Sequence, residues 1–268
     1  MLPAARARFA AAVVATLATT ALAFGCGSSS SSTSSAASSS SASSTPPAAG
    51  GAQATVFAAA SLTKVFPKIE PQAKYTFGGS GALETQIEQG APADVFAAAS
   101  SKQPAALYAK GLVSKPVKFA TNRLVLVVPA NNPAHITAVS QITKPGVKLV
   151  ICNATVPCGD YARTAFKNLN ITAAAMKNVV SQATDVTQVL AEVSVGQADA
   201  GFVYITDAKS ANGKVKVVEL PAAAKPNATD YIAIVKSGKN QSAAKAFVVK
   251  VLSPQGQATL RAAGFGKP

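Results

Sequence analysis

Short apolar runs alternate with stretches of helical spacing from about residue 53 to the end of the chain, and no other feature narrows the fold as much. ATVFAAA (54–60), AKYTFGG (73–79), ADVFAAA (93–99), TNRLVLVVPA (121–130), VKLVIC (147–152), KNVVSQ (177–182), ADAGFVY (198–204), VKVVEL (215–220) and YIAIVK (231–236) read as strands. SLTKVFPKI (61–69), ALETQIEQG (82–90), KQPAALYAKG (102–111), GDYARTAFKNLN (159–170), DVTQVLAEVSVG (185–196), SAAKAFVVKVL (242–252) and PQGQATLRAAG (254–264) read as helices. Gly90, Gly111 and Gly196 close their helices, and Asp185 is placed to start one. Such alternation argues an α/β fold rich in parallel strands.

The hexapeptide VFAAAS occurs twice, at Val56–Ser61 and Val95–Ser100. Nothing else repeats at that interval, so the chain is not a solenoid. The two copies read as one device used twice: a buried strand, a tight turn of small residues, and a serine at a helix N-terminus. A serine there satisfies a backbone N–H that the helix leaves unpaired. In open α/β sheets the same position, at the carboxyl ends of the strands, is where ligands sit. Helix N-termini present free N–H groups and partial positive charge, so they hold anions without a charged side chain.

Four turns qualify: Ser61 after the first strand, Ser80 in FGGSGAL, the VPCGD turn around Cys158, and TDVTQ around Val186. Tyr204, ending AGFVY, adds a hydroxyl. None of the four turns fixes a lysine or arginine. A donor-only set of this kind suits a fully ionised oxyanion, which accepts hydrogen bonds and offers no proton.

The N-terminus is of another character. MLPAARARF is basic, an uncharged apolar run follows, and the run stops at GCG. That order is an export signal, expected over residues 1–25; the apolar run is too short and too rich in Ala and Thr for a membrane span. LAFGC resembles a bacterial lipobox, which would make Cys26 the lipidated first residue of the mature protein. Residues 26–52 are Ser-rich and uncharged, with little to bury, and are expected to be a disordered tether. Arg6 and Arg8 leave with the signal, so 23 basic residues face 11 acidic ones, a balance of +12. The lysines are scattered rather than interleaved with aromatics, which speaks against nucleic acid, but their field can draw in anions. In an oxidising compartment Cys152 and Cys158, in CNATVPC, are expected to pair. The alternative, a metal site, would need more ligands, and the only histidine, His135, has no place beside them.

Four segments, VFAAASLT, SGALETQIEQGAPADVF, VPCGDYA and GFVYITDA, carry a resemblance to the periplasmic molybdate-binding proteins of ABC transporters, the ModA family. It extends from about Ala54 to Phe265. The resemblance implies the type II periplasmic-binding-protein fold: two α/β lobes joined by two crossover strands, with the ligand cleft between them. Lobe I would be 53–126 plus 231–268 and lobe II 127–230, with RLVLVVPA and DYIAIVK as crossovers. It implies an oxyanion site made by Ser61 and Ser80, the N–H groups of Cys158 and Val186, and the hydroxyl of Tyr204. Ser100, ending the second hexapeptide, would cap rather than bind. The cargo would be molybdate or tungstate, with no cofactor and no directly ligated cation. The partners would be a membrane permease with its cytoplasmic ATPase, reached by a monomer lipid-anchored outside the cell membrane.

Three other readings compete. One is a binding protein for a different oxyanion, such as sulfate or phosphate. Another is a serine hydrolase, with Ser80 of GGSGA as nucleophile and His135 as base. His135 lies mid-chain, where that fold does not place its histidine, so the expectation is a binding protein and not an enzyme. The last is a surface lipoprotein with no ligand, which leaves the converging helix N-termini unexplained.

Overall fold

The computed structural model describes residues 53–268; the expected signal, Cys26 and the tether lie outside them. The first part of the chain forms β1 (Thr55–Ala59), α1 (Phe66–Ile69), β2 (Lys74–Gly78), α2 (Ser80–Glu88), β3 (Val95–Ala98), α3 (Lys102–Ala109) and β4 (Val117–Asn122). Next come β5 (Leu124–Pro129), β6 (Leu149–Cys152), α4 (Pro157–Asn168), α5 (Thr172–Lys177), β7 (Val179–Ala183), α6 (Val186–Ser194), β8 (Ala200–Tyr204), α7 (Ile205–Ser210) and β9 (Val215–Val218). Last are β10 (Ala228–Ile234), α8 (Gln241–Leu252) and α9 (Pro254–Ala263).

These strands make two five-stranded sheets, ordered β2-β1-β3-β10-β4 and β7-β6-β8-β5-β9. Both share one layout. Three parallel strands come first, then one antiparallel strand, which is also antiparallel to the last. In each sheet the antiparallel member is the first strand after the chain arrives from the other sheet. The result is a two-lobed α/β molecule with the type II arrangement.

The inner parallel strands β1, β3, β6 and β8 are buried on both faces, which is why they read as unbroken apolar runs, whereas the edge strands β2 and β7 are partly exposed. In lobe I, Phe57, Leu83, Ile87, Phe96 and Leu107 form a core on the face covered by α2 and α3. The opposite face packs Phe66 against Phe119 and Phe247, with ring centroids 5.8 and 5.3 Å away. In lobe II, Phe166 meets Phe202 edge-on at 5.3 Å. The two hexapeptide copies are adjacent and in register: Val56 lies beside Val95, Phe57 beside Phe96 and Ala58 beside Ala97.

Several local expectations shift. TNRLVLVVPA is not one strand. β4 ends at Asn122, Arg123 carries the chain across, and β5 lies wholly in the second sheet. The return crossing falls between β9 and β10, so β10 lies wholly in the first sheet. Both crossings precede the boundaries read from sequence, because an apolar run gives no sign of which sheet buries it. SLTKVFPKI yields only a 3₁₀ turn, Ala60–Leu62, and the short α1. Thus Ser61 sits inside a turn and caps no helix. Ser80 is the first residue of α2, whose N-cap is Gly79. α5 and α7 are short, and their few apolar residues set no helical period in the sequence.

Candidate functional site

The C-terminal ends of β1, β6 and β8 and the starts of α2, α4 and α6 converge between the lobes. Ser61, Ser80, Cys158, Val186 and Tyr204 all line one cavity there, with Gly79, Ala99 and Asp185. All five are buried. The cavity volume is about 10 Å³, far below the several hundred Å³ of an organic-ligand pocket.

The geometry favours hydrogen-bond acceptors as ligands. Ser61 Oγ and Tyr204 Oη are buried with no hydrogen-bond partner among the described residues. A buried hydroxyl left unpaired costs on the order of 1–3 kcal/mol, so two beside one cavity point to a ligand. Ser80 Oγ accepts from Ala99 N at 3.2 Å. That bond occupies a lone pair and leaves the serine proton free to donate. Cys158 and Val186 lie in the first turns of α4 and α6, where N–H groups have no partner within the helix. α4 opens with Pro157, fixed in φ and lacking an N–H, so Cys158 offers its first donor. The single charged residue on the wall, Asp185, is already engaged. Its carboxylate caps α6 by accepting from the N–H groups of Thr187 (2.8 Å) and Gln188 (3.1 Å).

Cys152 and Cys158 are joined in a disulfide, Cα to Cα 5.8 Å, tying the end of β6 to the first turn of α4. It holds the turn that presents the Cys158 N–H.

Tyr204 remains a phenol at neutral pH. Burial pushes its pKa well above the ordinary range, and nearby Tyr161, Asp230 and Asp207 add to the shift. Sequence reading missed three residues here. Tyr161 Oη donates across the cleft to Ala99 O at 3.3 Å, and its pKa is pushed up to about 12 by burial and by Asp230. Asp207 accepts from Tyr204 N at 3.0 Å. Burial raises Asp207 to about 7; the Tyr204 N–H opposes that shift and Asp185 adds to it. Asp230, on β10, is buried with no partner for either carboxylate oxygen among the described residues and lies well above the usual carboxylate range, through burial and then Asp207. The one advance signal was Asp207, three residues beyond Tyr204 at a helix start.

A neighbouring groove of about 500 Å³ shares Ala60 and Ser61 with the cavity and carries Lys64, Lys68 and Lys209. Ser100 has a different setting. Its hydroxyl donates to Gln103 Oε1 at 2.5 Å and accepts from Lys102 N at 3.3 Å. His135 is exposed on the loop after β5 and is not part of the cavity wall, while Ser80 is held by a backbone N–H. The nucleophile–base pair of a serine hydrolase does not form.

Residues 52–266 match the bacterial extracellular solute-binding protein family. The chain is 40% identical over 223 residues to the molybdate-binding protein ModA of Mycobacterium tuberculosis, covering 80% of this chain and 84% of the relative. This chain belongs to the ModA family of bacterial extracellular solute-binding proteins. The ModA-family chain is also 31% identical over 227 residues to ModA of Escherichia coli, covering 79% of this chain and 88% of that one. Its fold matches the periplasmic molybdate-binding protein of Azotobacter vinelandii with a TM-score of 0.72 at 24% identity, over 81% of this chain and all of the other. The sulfate-binding protein SubI of M. tuberculosis matches with a TM-score of 0.68 at 18% identity, over 80% and 86% of the two chains. Like its family, this ModA-family protein is extracytoplasmic, and no helix among the described residues is long and apolar enough to cross a membrane.

Proposed function

We propose that the protein captures molybdate, and tungstate with it, in the inter-lobe cleft and hands it to the permease of an ABC importer. The observation that carries this reading is the cavity wall: two buried hydroxyls without a partner among the described residues, Ser61 and Tyr204, face a compact space that also takes in three helix starts. Lobe I contributes Ser61 and Ser80. Lobe II contributes the N–H groups of Cys158 and Val186 and the Tyr204 hydroxyl. A dianion is bound here by neutral donors and helix dipoles, with no salt bridge. The lysine groove raises the local anion concentration at the entrance.

All five donor residues are buried, so the lobes part to admit the anion and close around it. Only the closed state lets one anion touch both donor sets, so binding favours closure. The permease then reads the closed form. Sulfate is smaller and leaves donors stretched or unpaired, which disfavours it. Molybdate and tungstate match in size and charge and share the site. Cys26 anchors the mature monomer to the membrane by lipid, and residues 27–52 act as the tether. In this reading the protein is a carrier and performs no chemistry on its cargo.

The test is a thermal-unfolding series on the purified protein with molybdate, tungstate, sulfate, phosphate or no anion. At one hundred times its dissociation constant a ligand stabilises by roughly 2.7 kcal/mol, a shift of several degrees. Molybdate and tungstate are expected to raise the midpoint and sulfate is not. A shift with sulfate or phosphate alone reassigns the cargo, and no shift with any anion rejects the site.

A further inference from the structure

The turn FGGSG carries three glycines in four positions, and the structure separates their roles. A Cβ on Gly78 would meet only Leu83 of its own lobe, at 3.7 Å. A Cβ on Gly79 would lie 2.5 Å from the carbonyl oxygen of Thr184 and 3.1 Å from Val156. A Cβ on Gly81 would press on the carbonyl oxygen of Thr155, again inside the 3.0 Å that real Cβ contacts respect. Thr155, Val156 and Thr184 all belong to lobe II. At both positions the close neighbours come from across the cleft.

Local structure gives no reason for either glycine. Neither has positive φ: Gly79 is extended at φ −64° and ψ 131°, and Gly81 is the second residue of α2. In a helix, glycine costs about 1 kcal/mol relative to alanine. The missing side chains serve the contact between the lobes.

We propose that Gly79 and Gly81 are positioning residues that set how closely the two lobes approach and thereby the size of oxyanion the cleft accepts. This rests on the oxyanion reading of the cleft. Ser80 lies between them and supplies a donor to the cavity. The backbone of Thr155 and Thr184 precedes the two lobe II helices that supply Cys158 and Val186. The distance between the half-sites is therefore fixed beside the donors themselves. A methyl group at either glycine holds the half-sites apart while leaving each lobe intact.

The experiment compares the wild type with Gly81→Ala and Gly79→Ala. It measures the ligand-free unfolding midpoint, the calorimetric affinity for molybdate, tungstate and sulfate, and the radius of gyration with and without saturating molybdate. The variants are expected to keep their ligand-free midpoint within a couple of degrees. They should lose at least about tenfold in molybdate affinity and compact less on binding. Sulfate should stay unbound in all three proteins. Wild-type affinity in Gly81→Ala overturns the inference alone. A large fall in the ligand-free midpoint of both variants makes the glycines structural residues of lobe I and also overturns it. A wild type that binds no oxyanion overturns the oxyanion reading and takes this inference with it.

Discussion

Two copies of VFAAAS lie side by side in one sheet, in register, yet their serines meet different fates. Ser100 has partners on both sides, donating to Gln103 and accepting from Lys102 N. Ser61 has none among the described residues. The strands are interchangeable; the residues after them are not. After the second copy, SSKQ places Gln103 three residues on, where it reaches back to the serine. After the first copy, SLTK turns through one 3₁₀ turn and leaves the hydroxyl on the cleft wall. A buried polar group with partners is spent on the fold, and one without them is open to a ligand. The acids divide in the same way. Asp94 is buried, which would raise its pKa, but it accepts from Thr55 N and from Asn240 N and Nδ2, and these hold it below the usual range. Asp230 has no such partners, and burial drives it up.

The sharpest way to break this comparison is Ser61→Ala. A hydrogen bond to an ionised partner is worth about 1.5–3 kcal/mol, so molybdate affinity should fall roughly 10- to 100-fold in calorimetry. Ligand-free stability should hold or rise slightly, because the substitution removes a polar atom that has no partner. Tyr204→Phe should behave alike from lobe II. A variant that loses stability and keeps its affinity would show that Ser61 belongs to the fold after all.

Most of the fold could be read in advance because parallel strands buried on both faces leave continuous apolar runs, and helices leave glycine stops. The crossing at Arg123 could not be read, since β4 and β5 are joined without a break in the strand-like pattern although they lie in different sheets. The five residues that line the cavity were legible as candidates, three at helix starts, Ser61 in a turn after a strand and one tyrosine, through the chemistry of N-termini and through resemblance. What stayed hidden depends on neighbours distant in sequence: the bond from Tyr161 to Ala99, the isolation of Asp230, and the press of Thr155 and Thr184 on two glycines.

The next prediction asks whether the division also holds for titration. Asp207 rises to about 7 in the folded protein, mainly through burial, from an ordinary value near 4. The native state therefore holds a proton that the unfolded chain has released between about pH 4 and pH 7. Stability must fall as pH rises through that window, by at most about 1.4 kcal/mol per pH unit, and then level off above 7. Asp207→Asn keeps an acceptor for Tyr204 N–H and does not titrate. Asp230 owes its own rise first to burial, which the substitution leaves in place, and only then to Asp207, whose smaller part is removed with the carboxylate. Unfolding midpoints of the wild type should thus decline relative to Asp207→Asn from pH 4 to 7. Parallel curves would mean that Asp207 is not raised.

The smallest effect closes the comparison from its other side. Ser100→Ala removes two hydrogen bonds and leaves Lys102 N to find water, while Gln103, itself buried, loses a partner. A cost of about 1 kcal/mol in stability is expected, read as a few degrees in the unfolding midpoint. Molybdate affinity should stay within about twofold, because Ser100 is not part of the cavity wall. Combining Ser61→Ala with Ser100→Ala should then add independently, one loss appearing in affinity and the other in stability. Their strands pair, but their side chains share no partner, and effects at sites without shared partners usually add. If the double variant departs from that sum by more than about 0.5 kcal/mol, the two copies communicate through β1 and β3, and the second serine also shapes the cleft.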